Sequence, residues 1–210
     1  MAYSRTMPKQ FSDQEAFSKS LNHWLKTSKD KTLRGLIEVT AEKSFAIIFL
    51  IMMALPALPI PTGGVTHVTE LITVLGSIQL IFGRRTIWLP DRWLKVDVGK
   101  FMTGKAVTKF IGVIEWFERK SRRRWSAFLV QRPVVSFSGL SITCFTIAAF
   151  VAVPFSGLDT LPALGVVVMS LGIILEDTYL WLAGIVIGSV GIGIEIAAGT
   201  ALYSGITHLF

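Results

Sequence analysis

A hydrophobic hairpin interrupted by proline and glycine occurs twice in this chain, and that doubling constrains the fold more than any other feature. The first copy, Ser44 to Gly83, reads SFAIIFLIMMALPALPIPTGGVTHVTELITVLGSIQLIFG. The second, Val134 to Leu175, reads VVSFSGLSITCFTIAAFVAVPFSGLDTLPALGVVVMSLGIIL. In each, an apolar run ends at proline and small or polar residues follow. A second apolar run then carries two glycines seven apart, Gly76 and Gly83 in one copy, Gly165 and Gly172 in the other. Such breaks expose unpaired backbone groups, which hydrocarbon does not tolerate unless protein or a watery cavity covers them. Interrupted segments at matching places in two halves mark a transporter-like site where the repeats meet.

Charge placement points the same way. The chain is 51% hydrophobic, and all of its 21 Lys and Arg lie at or before Arg132. Beyond that point only Asp159, Glu176, Asp177 and Glu195 are charged. A protein without a cation in its last third is not a soluble basic protein. The net charge of +7 therefore does not mark a nucleic-acid binder, because the basic residues flank apolar spans and form no such motif. Cys144 is the sole cysteine. It has no intramolecular partner and no Cys/His cluster around it, so it reads as a buried small hydrophobe, and neither metal nor cofactor is expected. The first thirty residues lack the apolar core of a cleavable signal, so the chain is expected to stay whole in the membrane.

Four segments follow. Residues 1–43 form a polar, basic lead-in with a capping-box pattern at Ser12 and Glu15 and an apolar face at Phe17, Leu21, Trp24 and Leu25. That face suits either the membrane surface or the rest of the protein. Thr32 is placed to cap a second short helix. Residues 44–83 are the first hairpin, broken at Pro56, Pro59 and Pro61 and reversed at Gly63-Gly64, with helix resuming near Thr66. Residues 84–133 are basic and amphipathic, interrupted near Lys105 and ending in ERKSRRRW, a cluster that seeks anionic lipid headgroups. Residues 134–202 hold the second hairpin, broken at PFSGLDT, and a final helix from Tyr179 to Leu202. The fold class is thus an all-α integral membrane protein, with two broken hairpins as an internal repeat and amphipathic interfacial helices. Cation bias places the lead-in and the Arg84 to Arg132 region on the cytoplasmic side.

Successive helical residues advance about 100°, so Thr66, Glu70, Thr73 and Ser77 share one face of an otherwise apolar helix. Glu70 is the sharpest candidate, since an ionisable group at membrane depth is costly and usually functional. The alternative sets it just past the break, among headgroups and water. His67 stands close enough along the helix to exchange a proton with Glu70. In the second break, Asp159 and Thr160 fit either an N-cap for the helix containing Pro162 or a place on an ion or substrate path. Thr62-Gly63-Gly64 reads as a plain turn, with a weaker resemblance to an anion site. Gly184, Gly188, Gly191 and Glu195 fall on one face of the last helix, and the GxxxG spacing favours close helix approach. Glu176-Asp177 ends a helix, where acids need a cation nearby; Arg84 or Arg85 is the expected partner. No nucleophile–base constellation, phosphate loop or sugar-nucleotide motif is present in the sequence, and no enzyme is expected.

ALPALPIP, GRRTIWLP and PFSGLDTLPALG with LGIILED together resemble the ExoD family of bacterial exopolysaccharide-synthesis membrane proteins, from about Thr32 to Glu195. Gln79, Gly83-Arg84-Arg85 and Trp88-Leu89-Pro90 occur in the family's order. Two departures stand out. The first break is longer here, PTGGVTHVTE, which makes His67 and Glu70 a subfamily feature. Glu176-Asp177-Thr178 replaces a more usual Arg-Asp-Gly. The resemblance implies a role in exopolysaccharide production and alkali tolerance, in the inner membrane. The expected function is transport or proton/ion exchange between the breaks, in a homodimer. The alternative is an accessory subunit beside exopolysaccharide-synthesis proteins.

Overall fold

The computed structural model describes residues 17–28, 31–40, 43–58, 65–84, 87–95, 97, 105–121, 126–152 and 156–207. Among these the regular elements are helices: α1 Phe17–Thr27, α2 Leu33–Thr40, α3 Ser44–Ala54, α4 Val65–Ile81, α5 Asp91–Leu94, α6 Lys105–Lys120, α7 Ser126–Leu129, α8 Arg132–Val151, α9 Thr160–Leu175 and α10 Thr178–Thr207. The Ser12–Glu15 box, Pro59 to Gly64 and Pro154 lie outside the described residues. At the start of α2, the Gly35 N–H donates to Thr32 Oγ1 at 3.4 Å, the cap expected there.

Proline sets the breaks. Pro56 has no N–H to offer the Met52 carbonyl, so α3 stops at Ala54. One looser turn follows, in which the Ala57 N–H reaches Met53 O at 3.1 Å. In α8 and α9 the prolines at 133 and 162 sit in the first turn, where the missing N–H has no helical partner to lose.

The second helix of each hairpin closes in the same way. Gly83 takes φ +76, its N–H donates to Leu80 O, and the Arg84 N–H donates to Gln79 O. Glu176 takes φ 57, its N–H donates to Ile173 O, and the Asp177 N–H donates to Gly172 O. Both are Schellman ends. This register corrects the glycine pairing expected from sequence, because Gly83 corresponds to Glu176 and not to Gly172. Gly83 serves a left-handed turn, whereas a Cβ on Gly172 would lie 2.4 Å from the Trp181 nitrogen. Two glycines with different jobs happened to share a spacing. In the corrected register Ser77 matches Ser170, and both are fully buried.

Four helices form a ring in the order α3, α4, α8, α9, each packing on its neighbours. Near the start of α8 the Ser136 hydroxyl donates to Ile81 O at the end of α4. Near its end, Phe150 lies 5.0 Å from the His67 ring at the start of α4. Lys43, just before α3, reaches Ile174 O and Glu176 at the end of α9. The starts of α3 and α8 therefore share one end of the ring, the base, and the ends of α3 and α8 share the other, the tip, with the starts of α4 and α9. The repeat is parallel.

From the base, α10 runs up against α9 and α8 on the expected glycine face. A Cβ would fall 2.4 Å from the Met169 nitrogen at Gly184, 2.5 Å from the Phe145 ring at Gly188 and 2.6 Å from Pro162 at Gly191. At Gly165 it would fall 2.5 Å from Gly188 Cα, so the two backbones touch. Helix α3 is enclosed, with Ser44 to Met53 all buried. By contrast, α8 turns Phe137, Leu140, Ile147 and Val151 outward, and α10 turns out Leu182, Val186, Val190 and Ile194. Cys144 shares the outward face of α8 and is exposed, not buried as expected, because it lies seven residues after Phe137. Helix α8 and the Thr178–Ala201 part of α10 are long and apolar enough to cross a membrane. With 11 residues α3 reaches only about 17 Å, short of a hydrocarbon core of roughly 30 Å.

Candidate functional site

Each turn of α4 presents one polar residue to the ring. Thr66, Glu70, Thr73 and Ser77 are all buried, so the polar stripe read from the sequence faces protein. Glu70 is 1% exposed, and its Oε2 lies 3.0 Å from His67 Nδ1, whose side chain is 44% exposed. The pair joins a buried carboxylate to a ring at the surface. Phe150 packs edge-on against that ring and closes the α8 side.

The hydroxyls around Glu70 are engaged locally. Thr69 donates to Thr66 O and Thr73 to Thr69 O, each at 2.8 Å. Ser77 pairs with Thr143 of α8 at 2.8 Å and joins the two hairpins. The Ser77 pair fixes α4 against α8, and the three bonds form no hydroxyl chain from Glu70 to the base.

Asp159 occupies the N-cap position of α9, yet its carboxylate makes no capping bond. The backbone conformation there is αR, with φ −62 and ψ −27, which does not aim the side chain at the first-turn N–H groups as the extended form does. The capping role expected for it is not formed. Its carboxylate stands at the start of α9, at the tip. Thr160 opens α9, and its N–H reaches Gly157 O at 3.3 Å. Glu195 follows one turn after Gly191, which rests on Pro162, so it lies beyond the start of α9. Its Oε1 is buried without a hydrogen-bond partner among the described residues. The tip thus gathers Glu70, His67, Asp159 and Glu195, from α4, the second break and α10. Among the described residues no three His, Cys, Asp or Glu side chains stand close enough to hold a metal.

The base is built differently. Lys43 Nζ meets Glu176 Oε1 at 2.9 Å and Ile174 O at 3.0 Å. Lys43 stands where Arg84 or Arg85 was expected: Arg84 lies at the end of α4, across the ring from α9, and Arg85 lies outside the described residues. Asp177 accepts the Tyr179 N–H at 3.0 Å, capping α10, and accepts the Ser121 hydroxyl at 3.0 Å. Gln79 carries a role not foreseen from sequence. Its Nε2 donates to Leu75 O and to Trp88 O, and its Oε1 accepts the Trp88 N–H at 2.7 Å. That clamp ties α4 to the Trp88-Leu89-Pro90 segment, and the order of these residues in the family resemblance was the available signal.

A ring of two parallel broken hairpins, with a buried carboxylate at the tip, defines a class of helical protein with paired interrupted segments. The ExoD family model, described as exopolysaccharide synthesis, matches residues 17–197, and the chain belongs to that family. An uncharacterised protein of Synechocystis sp. is 29% identical over 163 residues, covering 77% of this chain and 75% of that one. No solved structure matches.

Proposed function

We propose that this chain is a multi-pass protein of the bacterial inner membrane that exchanges protons or small cations through the tip of the ring, in support of exopolysaccharide production and alkali tolerance. The observation that carries this reading is the Glu70–His67 pair, a carboxylate 1% exposed with a half-exposed imidazole 3.0 Å away. A buried acid beside a partner at the surface is a proton relay in miniature, and ionisable groups at membrane depth mark ion pathways. Asp159 and Glu195 add negative charge at the same end, which draws cations there. The outward apolar faces of α8 and α10 supply the lipid contact. The base, with the cations that precede Arg132, lies on the cytoplasmic side. The protein acts as a homodimer and performs no catalysis.

The test uses the full chain in liposomes with an internal pH-sensitive dye. Glu70→Gln keeps size and hydrogen bonding but removes the titrating proton. It should insert normally and lose about a hundredfold or more of the pH-driven flux, the scale of one essential proton-transfer group. Wild-type flux in that variant overturns the role of Glu70.

A second reading is favoured by the packing beneath Glu70, where Thr73 and Ser77 are fully buried and bonded locally. A closed centre suits an accessory subunit that positions polysaccharide-synthesis proteins. Absence of flux for protons and for sodium and potassium alike, with assembly intact, selects it.

A further inference from the structure

Helix α6 has two apolar sides. One packs inward through Ile111, Ile114 and Phe117, and Ser18 of α1 donates its N–H and hydroxyl to Glu118 to hold that side in place. The other side faces out. Val113 is 49% exposed and Trp116 51% exposed, and Arg119 and Lys120 continue the same face one turn on. Lys120 Nζ lies 5.5 Å over the Trp116 ring, so cation and indole form one unit.

A helix whose outer face met only water would be polar there. An apolar residue and a tryptophan bordered by cations describe a helix lying in a membrane interface. Two further observations choose that occupant. From Lys105 to Arg124 the sequence carries seven Lys or Arg against two Glu, an excess complementary to anionic headgroups. The Ser121 hydroxyl, directly after α6, donates to Asp177 at the junction of α9 and α10. There the long apolar α10 begins, and Tyr179 is 65% exposed. The end of α6 is thereby fixed at the level where a spanning helix meets the interface.

We infer that the outward face of α6, centred on Val113, Trp116, Arg119 and Lys120, docks on anionic phospholipid headgroups of the bilayer that holds the bundle. The inference rests on the membrane reading above. It adds a surface to that reading and uses none of the tip residues.

The experiment places a polarity-sensitive fluorophore on Val113→Cys in the full chain, with Cys144→Ser removing the native thiol. The protein is reconstituted in phosphatidylcholine vesicles with or without about one-third phosphatidylglycerol. With phosphatidylglycerol at low salt, the probe should be quenched by headgroup-labelled lipid and shielded from iodide. The double variant Arg119→Glu, Lys120→Glu should shift the docked-to-free ratio toward water by roughly fivefold per cation, and high salt should act in the same direction. A probe equally open to iodide in both vesicles overturns the inference, and so does shielding that is the same with and without phosphatidylglycerol and persists after charge reversal, since anionic headgroups then play no part. A second probe, on Val190→Cys of α10, separates the two readings. Lipid contact there with α6 in water rejects the docking face alone; water contact at both sites rejects the membrane reading as well.

Discussion

At the base of the ring, Glu176 meets Lys43 at 2.9 Å and Asp177 takes up the Tyr179 N–H and the Ser121 hydroxyl. At the tip, Asp159 caps nothing and Glu195 keeps a buried oxygen without a hydrogen bond among the described residues. Glu70, more buried than any of these, holds on to one imidazole. The same residue type therefore does two kinds of work. Carboxylates at the base close helix ends and join segments distant in sequence. Those at the tip gather like charge near a break, an arrangement that stability alone does not favour and that suits binding or proton transfer.

Variants can break this division. Substitutions at the base and in the glycine contacts should change stability and leave flux intact, whereas Glu70→Gln should lower flux and leave the unfolding temperature in place. The largest stability effect is expected from Gly165→Val, whose added carbons meet the backbone of Gly188 at 2.5 Å. Forced separation of α9 and α10 should cost about 3 kcal/mol or prevent assembly, read by thermal unfolding in detergent. Unchanged unfolding would show that the two backbones do not touch.

Gln79→Leu comes next. It leaves the Trp88 N–H and carbonyl without the amide that binds them, a loss of about 2 kcal/mol. Hydrogen exchange should quicken at Trp88 and stay slow in α9; slow exchange at Trp88 would remove the clamp. Lys43→Met is smaller, about 1 kcal/mol, since the ion pair is partly solvated. Thermal unfolding in detergent reads the change, and an unmoved transition would show that the Lys43–Glu176 contact adds nothing to the base.

Much of this was legible in the amino-acid order. The prolines predicted where α3 and α8 end, and the 100° spacing of Thr66, Glu70, Thr73 and Ser77 predicted a buried face. The four-three-four interval of Gly184, Gly188, Gly191 and Glu195 predicted the side of α10 that packs. Contacts between distant segments were hidden. Nothing near Glu176 in sequence identifies Lys43, because that contact exists only once the ring has closed. The repeat register was obscured because glycine serves both left-handed turns and tight packing, and spacing does not tell them apart. Asp159 has the residue type of an N-cap, and only its backbone angles show that the cap is not made. Cys144 was misplaced because apolar periodicity does not reveal which face of an outer helix meets the core.

The parallel repeat amounts to a symmetric pair of hairpins joined into one chain. In a true two-fold pair each substitution appears twice, so an acid buried on one hairpin would be buried on the other as well. Joining the copies lifts that restriction. The position that matches Glu70 in the second hairpin is Ala163, equally buried and without charge. One copy keeps the apolar packing while the other carries the acid, a separation that no assembly of identical hairpins can achieve.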